Sequence, residues 1–162
     1  MSEVIKVGMA DLNYANSPDT IRTSGLGSCV GVIIYDEKVS TCGMAHIMLP
    51  HSSLARNGDI HRPKYADTAV EDLIENLVKR GSPEYRLRAK MAGGAQMFQF
   101  ASTNEVMRIG PRNVESVREI LKSYHIRIIS EDVGGNSGRT IEFNPKTTVL
   151  EIRTINQGIR RI

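Results

Sequence analysis

The run Val30 to Tyr35, Val-Gly-Val-Ile-Ile-Tyr, is rich in β-branched residues and reads as a strand. The polar, turn-like Asp36-Glu37-Lys38 follows it, and Val39 to Leu49 contains a second strand that Pro50 ends. A hairpin is the simplest way to join the two. With Glu37 and Lys38 as a two-residue loop, Asp36 faces Val39, Tyr35 faces Ser40, and Cys29 stands directly opposite His46. Side chains opposite one another in an antiparallel pair lie on one face with Cβ atoms about 5 Å apart. An imidazole at that distance can take a thiol proton. Gly31, next on that face, leaves room above the pair. A slip of one residue turns His46 to the other face, so the pairing rests on register.

The stretch leading into this hairpin, Thr23-Ser-Gly-Leu-Gly-Ser-Cys-Val30, sets the thiol behind a glycine-rich turn. Gly25 and Gly27 permit a sharp bend, and the bare amides of such a turn can point at an oxyanion. Cys29 at its mouth is therefore a candidate nucleophile. Its other reading is a small buried hydrophobe. A thiol pKa pulled well down fits a Cys–His pair, and an ordinary one fits burial. Thr23 can fold back and accept the second N–H of an imidazole, as the third member of a triad does, but spacing alone favours an ordinary strand threonine. Gly25, Gly27 and Gly31 miss the dinucleotide-binding spacing by one residue, and a strand, not a helix, follows them. Without a helix N-terminus or a Walker lysine, nucleotide binding is set aside.

The rest of the chain reads as β-rich, then helix, strand, helix and strands again. Glu3 to Met9 is an opening strand, Asp11 to Asp19 a loop, and Thr20 to Thr23 a short extended segment. His51 to Arg62 is polar, with Asn57-Gly58 as a turn, and borders any groove beside His46. A helix runs from Ala66 through Ala69, Val70, Leu73, Ile74, Leu77 and Val78, and Gly81 stops it. Arg86 to Met91 is a half-buried strand running into Gly93-Gly94, after which Met97 to Phe100 is read as core. Gly110-Pro111 opens a second helix with the stripe Val114, Val117, Leu121, Tyr124. Ile126 to Ser130, Arg139 to Phe143 and Thr148 to Arg153 are strands, the turn Asp132 to Gly138 joins the first two, and a ragged tail follows Thr154. This order predicts an α+β or mixed α/β fold in a single domain, 1–162.

Composition narrows the function. A net charge of +3 with 5% aromatic residues provides neither a basic patch nor a stacking platform, so nucleic acid is not expected as a partner. Two cysteines, Cys29 and Cys42, make no disulfide framework and have no metal spacing, which suits free thiols in a reducing cytoplasm. A redox-sensing thiol needs a resolving partner that Cys42 is poorly placed to provide. His46, His51 and His61 lack a ligand spacing, so neither metal nor cofactor is expected. Glu3 and Lys6 interrupt the N-terminus, and no apolar run reaches spanning length, so neither a signal peptide nor membrane insertion is expected.

Taken together, the motifs resemble those of the CheD chemoreceptor glutamine deamidases. Thr-x-Gly-Leu-Gly-Ser-Cys-Val (Thr23 to Val30) and Met-Ala-His-x-Met-Leu-Pro (Met44 to Pro50) carry the resemblance most strongly. Further blocks are Lys64 to Ala69, Gly93 to Phe98, Ile109 to Val114 and Glu131 to Asn136. The resemblance covers nearly the whole chain. It implies a catalytic triad of Cys29, His46 and Thr23. The turn at Gly27 and Ser28 is expected beside the oxyanion of such a reaction, with the Ser28 and Cys29 amides as donors. It implies a mixed β-sandwich flanked by helices, like the catalytic domain of the cytotoxic necrotizing factor toxins. It further implies that the substrates are glutamines on the cytoplasmic helical bundle of methyl-accepting receptors, and that the CheC phosphatase is a partner, for which Gly93 to Phe100 is a candidate surface. An adaptor that binds CheC or receptors without catalysis is the alternative.

Overall fold

The computed structural model describes residues 2–56, 58, 60–97 and 108–162. Asn57 of the expected turn, and Phe98 and Phe100 of the expected core segment, lie outside the described residues. One sheet contains β1 (Val4–Lys6), β3 (Thr20–Leu26), β8 (Arg139–Asn144), β9 (Val149–Thr154) and β10 (Gly158–Arg161), in the order β1-β3-β8-β9-β10. The other contains β2 (Leu12–Asn16), β4 (Val30–Asp36), β5 (Thr41–Ile47), β6 (Arg88–Gly93) and β7 (Arg127–Val133), in the order β2-β5-β4-β6-β7. Two helices, α1 (Ala66–Lys79) and α2 (Ile109–Ser123), cover the second sheet. The expected mixed α+β class is the one observed.

Strands β4 and β5 are buried along their whole length because both of their faces are covered. Val30, Val32, Ile34, Ala45 and Ile47 pack against Leu73, Leu77, Val117 and Leu121 of the helices. Ile33, Tyr35, Cys42 and Met44 point the other way, against Ile21, Leu26, Ile141 and Phe143 of the facing sheet. The period-two alternation of a strand thus feeds two separate apolar layers. Cys29 belongs to the layer between the sheets. The stripe of α1 is as expected except at Val78, which is 41% exposed.

The hairpin forms, but with a longer bend. Asp36 pairs with Thr41, so Glu37 to Ser40 make the connection as a short 3₁₀ turn. The Asp36 carboxylate accepts from the Lys38 N–H, and Ser40 closes the bend at φ 50°. Register therefore moves by two residues: His46 faces Gly31, and Cys29 is one step further along the same face. A shift of two leaves every side chain on its expected side. At the base of the bend, Arg86 holds the buried Asp36 through two nitrogens, Nε at 3.1 Å and Nη2 at 2.7 Å from Oδ2.

Two segments read as irregular are strands. Within Asp11 to Asp19, β2 pairs antiparallel with β5 at the sheet edge, where only one side of the ladder is filled and polar residues are tolerated. The expected ragged tail contains β10, an edge strand antiparallel to β9. The opening strand is correspondingly short, three residues where Glu3 to Met9 was expected.

Candidate active site

The glycine turn is a place where the chain crosses from one sheet to the other. Strand β3 leaves the first sheet at Leu26, and β4 enters the second at Val30. Between Thr23 and Leu26 the pairing with β8 slips at a bulge, where Gly25 takes φ 73°. This crossing brings Thr23, from one sheet, against His46, from the other. The Thr23 hydroxyl donates to the Val7 carbonyl at 2.8 Å and lies 2.7 Å from His46 Nδ1. A hydroxyl whose hydrogen is committed offers only its lone pairs, so Nδ1 carries the ring proton and donates it to Thr23. Nε2 is then the bare nitrogen. It is buried and has no hydrogen-bond partner among the described residues.

Cys29 is 8% exposed and His46 1%. Burial pushes the Cys29 thiol up from its ordinary value and the His46 imidazole down. At neutral pH the resting groups are therefore a thiol and a neutral ring. The lowered thiol pKa expected of a standing thiolate–imidazolium pair is not what this environment produces. Gly31 does not leave open space above the two, as expected from its missing side chain. A Cβ there would lie 2.6 Å from Ile141 Cδ1 and 3.5 Å from Thr23 Cγ2, so the glycine makes room for the facing sheet.

The carbonyls of the turn are all fastened. Gly27 accepts from the Ala95 N–H and Cys29 from the Gly94 N–H, each at 2.8 Å, and Ser28 accepts from Asn113 Nδ2 at 3.0 Å. In a planar trans peptide the N–H points opposite to its C=O. The Ser28 and Cys29 amides are consequently turned away from these fasteners, and neither donates to another described residue. The Gly27 N–H, by contrast, folds back onto the Gly25 carbonyl at 3.1 Å and is occupied. Two glycines make the fastening possible. At Gly93, φ 112°, a side chain would strike the Cys29 carbonyl, and at Gly94, φ 66°, it would strike Val114.

Sequence reasoning missed Asn113. It is fully buried in α2 and its amide also donates to the Met48 carbonyl at 3.0 Å, two residues past His46. Its signal was present: an asparagine that falls on the apolar stripe of a helix, beside Val114 and Val117. The remaining imidazoles sit apart from His46. His51 Nε2 is 3.3 Å from Asp67 and its Nδ1 accepts from the Ser53 N–H, while His61 Nε2 is 2.7 Å from the Ala10 carbonyl. Among the described residues no group of three His, Cys, Asp or Glu side chains is placed to hold a metal ion. Cys42, whose thiol burial pushes up to about 12, faces Tyr35 at the far end of the hairpin from Cys29. No described helix is long and apolar enough to cross a membrane. The Gly93 to Phe100 segment splits: Gly93 to Ala95 support the turn, and Phe98 to Phe100 are outside the described residues.

Comparison with known proteins bears on the fold and the family. A solved Neisseria meningitidis protein of the family model DUF152 resembles the fold with a TM-score of 0.50 at 9% identity, over 82% of this chain and 64% of that one. A Halalkalibacterium halodurans protein named chemoreceptor glutamine deamidase CheD is 58% identical over 100% of both chains. A Bacillus subtilis protein of the same name is 55% identical over 98% of this chain and 96% of its own. The family model for CheD chemotactic sensory transduction matches residues 48–154, from the residue after β5 to the last residue of β9. By that match and by identity along its full length, this chain belongs to the CheD family.

Proposed function

We propose that this chain is a protein-glutamine deamidase that converts glutamines of chemotaxis receptors to glutamate, with Cys29, His46 and Thr23 as its catalytic triad. The observation that carries the reading is the Thr23–His46 hydrogen bond, which fixes the ring with Nε2 bare on the strand face that Cys29 shares. The names borne by full-length relatives support the substrate.

In the proposed reaction the Cys29 sulfur attacks the glutamine Cδ as its proton passes to His46 Nε2. The carbonyl electron pair moves onto oxygen, and the Ser28 and Cys29 amides receive that charge. The resulting imidazolium donates its proton to the departing nitrogen, so ammonia leaves and a thioester remains. Water then attacks the thioester and gives its proton to Nε2. Collapse expels the sulfur, which takes the proton back, and glutamate is released. With both groups neutral at rest, proton transfer accompanies attack and needs no pre-formed thiolate.

Cys29→Ala should abolish deamidation of a receptor cytoplasmic fragment, followed by intact mass, while leaving the thermal unfolding midpoint nearly unchanged. Continued conversion by that variant overturns the proposed nucleophile. Binding of the CheC phosphatase is proposed on the family resemblance. The same variant separates the roles, because an adaptor function retains its stimulation of phosphatase when the thiol is gone.

A further inference from the structure

We infer that Asn113 is the positioning residue of the oxyanion site: its side-chain amide holds the Ser28–Cys29 peptide so that the Cys29 N–H faces the substrate. The inference deepens the proposed acyl-transfer chemistry and rests on it. Three peptide carbonyls flank the nucleophile, and backbone amides of Ala95 and Gly94 hold two of them. The middle one, Ser28, is held by a side chain alone, through Asn113 Nδ2 at 3.0 Å. That carbonyl and the Cys29 N–H belong to one rigid plane, so fixing the oxygen on the helix side fixes the N–H on the opposite side. Released, the plane can rotate and put a carbonyl oxygen where a negative charge must develop.

The geometry suits this task. Asn113 projects from the first turns of α2 and is 0% exposed, so its amide does not exchange partners with water. Its second N–H goes to the Met48 carbonyl, which locks the amide's rotation and leaves Nδ2 one way to reach Ser28. Its Oδ1 is buried without a partner among the described residues. A buried amide that leaves its acceptor unmatched is costly, and an apolar residue at this stripe position avoids that cost. Retention of the two donors is what the site gains in return. Leucine, with nearly the same shape, tests this directly.

The test compares two reagents on Cys29 in the full chain, read by intact mass. Iodoacetamide alkylates sulfur by displacement at saturated carbon and forms no oxyanion. p-Nitrophenyl acetate acylates it through a tetrahedral oxyanion. Asn113→Leu is expected to slow acylation by about tenfold to a hundredfold, the range below outright loss of an oxyanion donor. Alkylation, together with its pH profile, should stay within about threefold of wild type. Asn113→Ala serves as a second variant if leucine does not fold. Equal slowing of both reagents makes Asn113 merely structural and overturns the inference, as does acylation at the wild-type rate. Deamidation of a receptor fragment by the wild-type chain is the separate arm. A chain that acylates but never deamidates refutes the proposed function and leaves the role of Asn113 standing.

Discussion

At His46 a single hydrogen bond decides what the ring can do. Thr23 takes the Nδ1 proton, and Thr23→Val leaves that buried donor without an acceptor, a loss of about 1–3 kcal/mol. Deamidation should fall roughly tenfold to a hundredfold, while Thr23→Ser, which keeps the hydroxyl, should lie within a few-fold of wild type. Conversion rates of a receptor fragment check both. The pKa directions set a second expectation. Burial holds His46 low and Cys29 high, so the ultraviolet thiolate signal lost in Cys29→Ser should be absent at pH 7 and emerge above the ordinary thiol range near ~8.5. A thiolate signal at pH 7 contradicts the neutral resting pair. The same depression links His46 to stability. The unfolded chain binds the imidazole proton near its ordinary pKa of about 6.5 and the folded chain only lower, so stability is full above that value and is lost as pH falls through it. Urea midpoints at pH 7.5 and 5.5 read this window. The carboxylate of Asp36 lies outside it: burial raises its pKa, the Arg86 guanidinium together with hydrogen bonds from Ser82 and the Lys38 N–H outweighs that, and its contribution disappears only in strong acid.

At the level of elements, the turn between β3 and β4 is held from outside by the segment that follows β6. Gly93→Ala should therefore act on the nucleophile through the backbone. The added methyl meets the Cys29 carbonyl, and φ 112° is unfavourable to any L side chain. About 1–3 kcal/mol of stability should be lost, with slower Cys29 alkylation at full folding, measured by urea unfolding and intact mass. These elements also divide what the sequence discloses from what it withholds. The shared face of Cys29 and His46 was legible because strand alternation survives an error of two residues in the loop. The loop length was not, since Ser40's positive φ has no composition signal. Thr23 was ambiguous because its contact spans two sheets, and no local pattern encodes which strands will face each other. The edge strand β2 was hidden by its own polarity. Asn113 was visible as a polar residue on an apolar stripe, yet its carbonyl partners become apparent only once three elements are placed.

Across the whole molecule the site sits on the seam between the sheets, not under the helices. Two core truncations of similar cost should then differ in their effect on chemistry. Ile141 pairs with Thr23 and reaches into the space beside Gly31, whereas Leu73 belongs to α1 and packs on the opposite face of the second sheet. Ile141→Ala and Leu73→Ala should each destabilise by about 2–5 kcal/mol. Only the former should slow deamidation well below the wild-type rate under conditions where both variants are fully folded, with thermal unfolding and conversion rates measured side by side. At the edge of the first sheet, β10 carries Arg160 and Arg161, paired with Asp132 of β7 and Glu151 of β9; charged side chains on an edge strand discourage a neighbouring chain from adding to it.

The threonine-facing side of the ring has a further consequence for timing. With that nitrogen occupied in the interior, the proposed cycle has one proton shuttle and therefore a strict sequence of traffic. Water arriving before ammonia has gone would meet a ring already loaded and unable to deprotonate it. In this proposal the site works as a turnstile, in which departure of the first product is the condition for admitting the second reactant.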